Sequence, residues 1–381
     1  MKKILIISPW GNDWNLERIK RSPENAYFFK EILKEFEVYH LFLKDKEIGL
    51  PLSSNHHLFP IKKFSFRKIP FLFFLELILN NIKIYLKAKE ILKEDINVVL
   101  CLSSYLFLSG FLIKRFLKKI VILKLFGIFT YFNSNFIKKI FLIPEKLSFL
   151  LPFDFIFCID DGSGGEKLRK ITGFPKEKFK ILKNSYPLSW RDIELKEKEK
   201  IVIGVSALEK CKGFDYFIKA AKEVLKKRKD VIFLICGEGS EEKNLKRLIK
   251  KYGIENNFKI LGGIPHPMMP NFYLKAKIFV STNIYGNKTI PVIEAMLFSI
   301  PPIVFEIREE KDLIKDGING FLVPLKDYKK ISEKITLLLE DDNLIKEIGK
   351  RARDFILKNF KSWEERIKEE IDIIKNFYEI F

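Results

Sequence analysis

A chain of 381 residues exceeds what one hydrophobic core usually organises and predicts two domains. Apolar residues at 47% and charged residues at 31% exclude a disordered chain, and four scattered cysteines exclude a structural zinc site and read as buried thiols of a reducing compartment. Four histidines exclude a histidine-rich metal site, while a formal net charge of +20 leaves nucleic acid and an anionic membrane to be weighed as partners.

The chain opens on MKKILIISPWGND, whose apolar stretch Ile4 to Ile7 is too short for an export signal and runs into Pro9 and Asp13. It reads as a first buried strand, Lys3 to Ser8, of a cytoplasmic protein. Further strands are expected at Val38 to Phe42, Val98 to Leu102, Ile120 to Leu123 and Phe155 to Ile159. The charge-free run Ile96 to Ile113 approaches the length of a membrane span, but Ser103, Ser104 and Ser109 interrupt it, so strand, loop and helix are expected there.

From Ile61 to Lys146 there are 16 Lys/Arg against 5 Asp/Glu, interleaved with aromatic and aliphatic residues as in KKFSFRKIPFLFFLELILNNIKIYLK and RFLKKIVILKLF. Such a surface suits the interface of an anionic membrane and would place the protein peripherally at the inner face of the cell membrane. The same composition also suits core helices with lysine-rich outer faces. No nucleic-acid-binding motif accompanies the charge, so nucleic acid is not an expected partner.

NSYPLSWRDIELKEKEK, with Pro187 and a run of charge, reads as a connector, with the boundary near Tyr186 to Lys200. This divides the chain into domains 1–187 and 188–360, followed by a terminal helix, 361–381, expected to pack back on the first domain. Beyond the connector, strands are expected at Ile201 to Val205, Val231 to Cys236, Phe258 to Leu261, Ile278 to Val280 and Pro302 to Phe305. Three helices follow Pro324: Lys326 to Glu340, Asn343 to Asn359 and Trp363 to Phe381. Strands alternating with helices in both halves predict doubly wound parallel sheets of the α/β class.

Three segments of the second half carry chemistry. In IVIGVSALEKCKGFDYFIKAA a strand ends in a small-residue loop, and Lys212-Gly213 opens an amphipathic helix. A cation and free backbone N–H groups beyond a strand's carboxyl end suit a diphosphate. In FLICGEGSEEKNL, Gly237 and Gly239 allow close backbone approach to a ligand, or simply a tight turn. In STNIYGNKTIPVIEAMLFSIPPIVFE a polar loop, Asn287 to Thr289, precedes a helix carrying Glu294, whose carboxylate suits the vicinal hydroxyls of a ribose. A buried glutamate needs such a partner.

In order and spacing these segments resemble the retaining glycosyltransferases of family 4, the group 1 type with the GT-B fold. SALEKCKGFD stands for the family's S-R-L-x-x-x-K-G-x-D, FLICGEG for L-x-I-x-G-x-G, and EAMLFSIPPIV for E-A-M-x-x-x-x-P-V-V. DLIKDGINGFLVPLKD and FKSW match later landmarks, while KILIISPW, KLFGIF and CIDDGSGGEKLRKITGFPKEKFKILKN add softer agreement in the first half. The resemblance implies two Rossmann-like domains facing across a cleft, with a nucleotide sugar as substrate and with neither cofactor nor metal.

Residue by residue, it places the diphosphate on Lys212, which would be the catalytic cation, and the ribose on Glu294. Ser206, Gly213, Gly237, Gly239, Asn287, Lys288 and Thr289 would complete the donor site. The acceptor, a glycan or lipid-linked precursor, would meet Trp10, Gly11 and Gly127 of the first domain. Two residues depart from the family: Ala207 replaces a second diphosphate-binding arginine, and Gly286 the first glutamate of the E-x7-E pair. Phe126 stands where a histidine near the sugar is usual. The expected reaction is transfer with retention, the leaving diphosphate taking the acceptor proton. The departures motivate the alternative of a degenerate relative that binds nucleotide sugar or glycan without transfer.

Overall fold

A computed structural model of the chain describes residues 1–9, 23–44, 51–65, 72–126, 143–160, 164–284, 290–307 and 311–379. The chain divides into two compact units, Met1–Lys183 with Glu364–Phe381, and Asn184–Trp363.

The first unit is built on a seven-stranded sheet: β1 (Lys2–Ser8), β2 (Phe36–Lys44), β3 (His56–Lys62), β4 (Val98–Cys101), β5 (Ile120–Leu125), β6 (Phe155–Asp160) and β7 (Phe179–Lys183). All pairings are parallel, in the order β3-β2-β1-β4-β5-β6-β7. The described crossovers include helices α1 (Pro23–Glu35), α2 (Phe73–Ile91), α3 (Phe107–Leu117), α4 (Ile143–Leu150) and α5 (Gly165–Thr172). Central strands covered on both faces need continuous apolar runs, and Ile4 to Ile7 are fully buried for that reason.

The second unit carries a six-stranded parallel sheet in the order β10-β9-β8-β11-β12-β13. Its strands are β8 (Glu199–Val205), β9 (Ile232–Cys236), β10 (Phe258–Ile260), β11 (Ala276–Ser281), β12 (Pro302–Phe305) and β13 (Phe321–Val323). Helices α6 (Phe214–Leu225), α7 (Glu242–Tyr252), α8 (Pro270–Tyr273), α9 (Ile290–Leu297), α10 (Tyr328–Glu340) and α11 (Asp342–Asn359) accompany it. The residues of α6 show why it forms: Phe214, Phe217, Ile218, Ala221, Val224 and Leu225 recur at helical spacing and are all buried, and Asp215 pairs with Lys219 one turn on. Side chains of Asp327 and Asp341 cap α10 and α11 by accepting backbone N–H groups of the first turn.

Three strands lie outside the sequence expectation: β3, β7 and β13. All three are sheet edges. An edge strand is hydrogen-bonded on one side only and need not carry the continuous apolar run of a central strand; the fourth edge, β10, does lie within the expected Phe258 to Leu261. β3 even contains Pro60, whose missing N–H is tolerated at an edge. Residues 96–113 form β4, a 3-10 turn and the start of α3. Among the described residues no helix is long and apolar enough to cross a membrane. The connector reading is corrected at its start: Tyr186 and Trp190 are buried in the core of the second unit and are not linker residues.

Helix α12 (Trp363–Asn376) ends the described structure, and from Glu364 onward it belongs to the first unit. Glu370 forms a 2.7 Å ion pair with Lys124 of β5, the side chains 0% and 3% exposed, and Arg366 pairs with Glu24 of α1. At the surface Glu369 meets Lys180 and Lys375 meets Glu35. Burial lowers the Arg366 pKa, an effect that the Glu370 charge opposes.

A second buried polar chain runs beneath β1 to β3. The Leu52 N–H donates to His56 Nδ1 (3.3 Å), His56 Nε2 lies 3.4 Å from His40 Nδ1, and His40 Nε2 lies 3.0 Å from Ser8 Oγ. The first donor leaves the proton of His56 on Nε2, and a neutral relay then points towards Ser8. Phe29 stacks on His40 at 4.9 Å. Burial depresses both pKa values, His40 well below its ordinary value and His56 to about 4.

A depressed histidine binds fewer protons in the folded state than unfolded, so stability is lost as pH falls below the unfolded value of about 6.5 and levels off below the folded one. His56 alone is expected to remove about 3 kcal/mol between pH 6.5 and 4. Urea unfolding across that window should show the loss, and the double variant His40→Phe, His56→Leu should flatten it.

Candidate functional site

A parallel sheet offers ligands a crevice where the strand order reverses, because the loops leaving the two adjacent strands diverge to opposite sides. In the second unit that point lies between β8 and β11. Three loops, from the carboxyl ends of β8, β9 and β11, are bonded together there. The Ser206 N–H donates to the Cys236 carbonyl (3.2 Å) and the Leu208 N–H to the Glu238 carbonyl (2.9 Å). On the other side the Ile284 N–H donates to the Cys211 carbonyl (2.9 Å), and the Thr282 hydroxyl to the Lys212 carbonyl (2.9 Å).

The glycines singled out from the sequence serve these contacts. A Cβ on Gly237 would lie 1.9 Å from the Ser206 carbonyl oxygen, one on Gly239 2.5 Å from that of Leu208, and one on Gly213 2.4 Å from that of Thr282. Gly213 also has a φ of +61°, which L side chains rarely adopt, at the N-cap of α6. Backbone packing between loops accounts for all three glycines.

Lys212 occupies the loop between Cys211, bonded to Ile284, and Gly213, packed on Thr282. Its side chain is half-buried, and among the described residues no carboxylate pairs with its ammonium. Ser206 is half-buried, while Ala207 and Lys210 are exposed. Gly286, Asn287, Lys288 and Thr289, and the acceptor-side residues Trp10, Gly11 and Gly127, lie outside the described residues. Phe126 directly follows β5 and is exposed.

Glu294 lies on α9, 2% exposed. The sequence points to a ribose as the partner that its buried carboxylate needs. The structure supplies partners within the unit: Oε1 accepts from His266 Nε2 at 2.6 Å and Oε2 from the Tyr273 hydroxyl at 2.8 Å. A carboxylate only accepts, so His266 carries its proton on Nε2. The imidazole is sandwiched between Trp190, at 4.6 Å, and Trp363, at 5.2 Å. Any ribose hydroxyl would share the carboxylate with these donors. Burial and the nearby Glu294 charge raise the Tyr273 pKa well above its ordinary value, keeping the phenol a donor.

The carboxyl end of α9 is met by two cations. Lys198 Nζ donates to the Phe298 carbonyl at 3.0 Å and to the Tyr273 carbonyl at 3.3 Å, and Arg353 donates to the Leu297 carbonyl. Burial lowers the Lys198 pKa to about 8. Cations there complement the helix dipole. His266, Tyr273, Trp190, Thr282 and Asn283 were not legible as site residues. The one available signal was the polar Thr282-Asn283 pair directly after an apolar strand. Among the described residues no group of three His, Cys, Asp or Glu side chains is placed to hold a metal ion.

Removing one donor from a buried carboxylate costs about 1–3 kcal/mol. Tyr273→Phe is therefore expected to lower unfolding free energy by about that amount, measured by urea titration. A change below about 0.5 kcal/mol would show that the carboxylate does not depend on the phenol.

Residues 189–355 match the family model of glycosyl transferases group 1. The poly(ribitol-phosphate) alpha-N-acetylglucosaminyltransferase of Staphylococcus aureus is 31% identical over 169 residues, 44% of this chain and 34% of that protein. The chain thus spans about a third of that relative's length. Sucrose-phosphate synthase from Thermosynechococcus elongatus superposes with a TM-score of 0.76 at 16% identity, covering 100% of both chains. Anabaena HepE in complex with UDP superposes with a TM-score of 0.72 at 15% identity, covering 98% of this chain and 100% of that one. At such identities the likeness is one of fold, the paired Rossmann-like sheets of the GT-B class. Residues 189–355, which lie within the second unit, are thus the part of the chain that is similar to glycosyl transferases group 1.

Proposed function

We propose that the chain is a retaining, nucleotide-sugar-dependent glycosyltransferase of family 4, moving a sugar from a UDP- or GDP-linked donor to a glycan or lipid-linked acceptor. The observation that carries this reading is Lys212: a half-buried cation with no carboxylate partner among the described residues, held at the switch point by loops bonded on both sides. Beside it the amino end of α6 presents the positive end of its dipole. A diphosphate leaving group develops negative charge as its bond to the sugar breaks, and a preorganised cation lowers that barrier without reorganising. The leaving oxygen then takes the acceptor proton, so that no protein nucleophile is needed. The UDP in the HepE complex and the alpha linkage in the name of the S. aureus relative support the donor class and retention.

The acceptor is assigned to the first unit. A cavity of about 160 Å³ lies at the carboxyl ends of β1 to β4, between Pro9, Leu43, Lys63, Leu77 and Tyr105. α2 lines it with one face. Its opposite face exposes Leu75, Ile78, Ile82 and Leu86, each at least 40% accessible and in one stripe at helical spacing. An aligned apolar stripe on a lysine-bearing helix fits the interface of an anionic membrane carrying a lipid-linked acceptor.

Binding without transfer is the second reading, favoured by the exposed Ala207 in place of an arginine. A panel of UDP- and GDP-sugars separates the two, since donor hydrolysis or transfer requires turnover. Lys212→Met keeps the apolar stem and removes the charge. It is expected to lower turnover about 100-fold or more with the unfolding midpoint unchanged. Turnover equal to wild type would overturn the assignment. In vesicle flotation with phosphatidylglycerol at low salt the wild type should float, and the quadruple serine variant of Leu75, Ile78, Ile82 and Leu86 should stay below. A wild type that does not float would remove the membrane from the reading.

A further inference from the structure

The polar side chains buried around the switch point mostly have partners. Thr282 bonds the Lys212 carbonyl, and Glu294 holds His266 and Tyr273. Asn283 differs. It is 3% exposed, and its amide Nδ2, shielded from solvent, makes no hydrogen bond among the described residues. A buried amide donor without a partner costs stability unless something outside the chain completes it.

Its place is set on both sides. Thr282 packs its carbonyl on Gly213, and Ile284 donates to Cys211, so the residue between them is held against the Lys212 loop at the end of β11. A carboxamide N–H, the Lys212 ammonium and the amino end of α6 each take an acceptor, and a diphosphate carries several anionic oxygens to supply them. Ala207 brings no guanidinium to this loop.

We propose that Asn283 is a donor-contacting residue whose Nδ2–H binds a phosphoryl oxygen of the nucleoside diphosphate beside Lys212. The inference rests on the transferase reading and adds to it a neutral ligand for the diphosphate. It also makes Asn283 a residue kept at the expense of the ligand-free protein's stability.

The test uses the full chain, UDP and GDP as probes, and the variants Asn283→Leu, Asn283→Ser and Asn283→Asp, followed by thermal unfolding and calorimetric titration. Asn283→Leu removes the orphan donor at similar shape, so without ligand it should unfold at the wild-type temperature or higher. Its affinity for the nucleotide bound by wild type should weaken about tenfold or more, and Asn283→Asp, which adds a negative charge, should bind more weakly still. Wild-type affinity, within about twofold, in either Asn283→Leu or the smaller Asn283→Ser would overturn the proposal. Should wild type bind neither nucleotide, the transferase reading itself is overturned and this proposal falls with it. Binding that persists unchanged in the variants overturns Asn283 alone.

Discussion

The candidate site depends on backbone hydrogen bonds that join the β8 loop to its neighbours on either side. Cys236 and Glu238 accept from Ser206 and Leu208, while Cys211 accepts from Ile284. Such contacts require main chains to approach closer than a Cβ permits, and Gly213, Gly237 and Gly239 provide that clearance. Once the loops are joined, the position of Lys212 follows from the sheet. Bonds to β-strand ends fix the Lys212 main chain, so only the rotamers of its side chain remain to be ordered when a ligand arrives.

Buried polar groups in the second unit show two physical solutions. Glu294 is satisfied internally, its charge spread over an imidazole stacked between two indoles and a phenol. This network ties the 3-10 turn at His266–Met268 and helix α8 to α9. Among the described residues Asn283 is left unsatisfied, a few residues upstream of α9. A satisfied network rigidifies, whereas an unsatisfied donor stores an interaction for a ligand.

In the first unit the same economy of buried charge appears at the terminal helix. Lys124 with Glu370, and Arg366 with Glu24, pair α12 to β5 and α1. Replacing such pairs by apolar residues is often neutral or stabilising, while removing one partner leaves an uncompensated charge, so they specify where the helix docks more than they add stability. The neutral His56–His40–Ser8 relay obeys a different rule. Burial keeps the imidazoles uncharged, and the direction of the first donor sets the direction of the rest.

Local pattern alone was enough for the central strands and the helices after Pro324, because a strand covered on both faces must be apolar throughout and a packed helix must repeat its apolar positions every turn. It was enough also to single out the Lys212-Gly213 turn, where strand, small-residue loop and helix follow within a few residues. Three of the four edge strands escaped it, since β3, β7 and β13 are held by one neighbour and need no such run. The partners of Glu294 escaped it as well: His266 and Tyr273 lie 28 and 21 residues away, and Thr282 reaches Lys212 over 70. Contacts over such separations are set by which strands lie side by side in the sheet, and that adjacency exists only once the chain has folded.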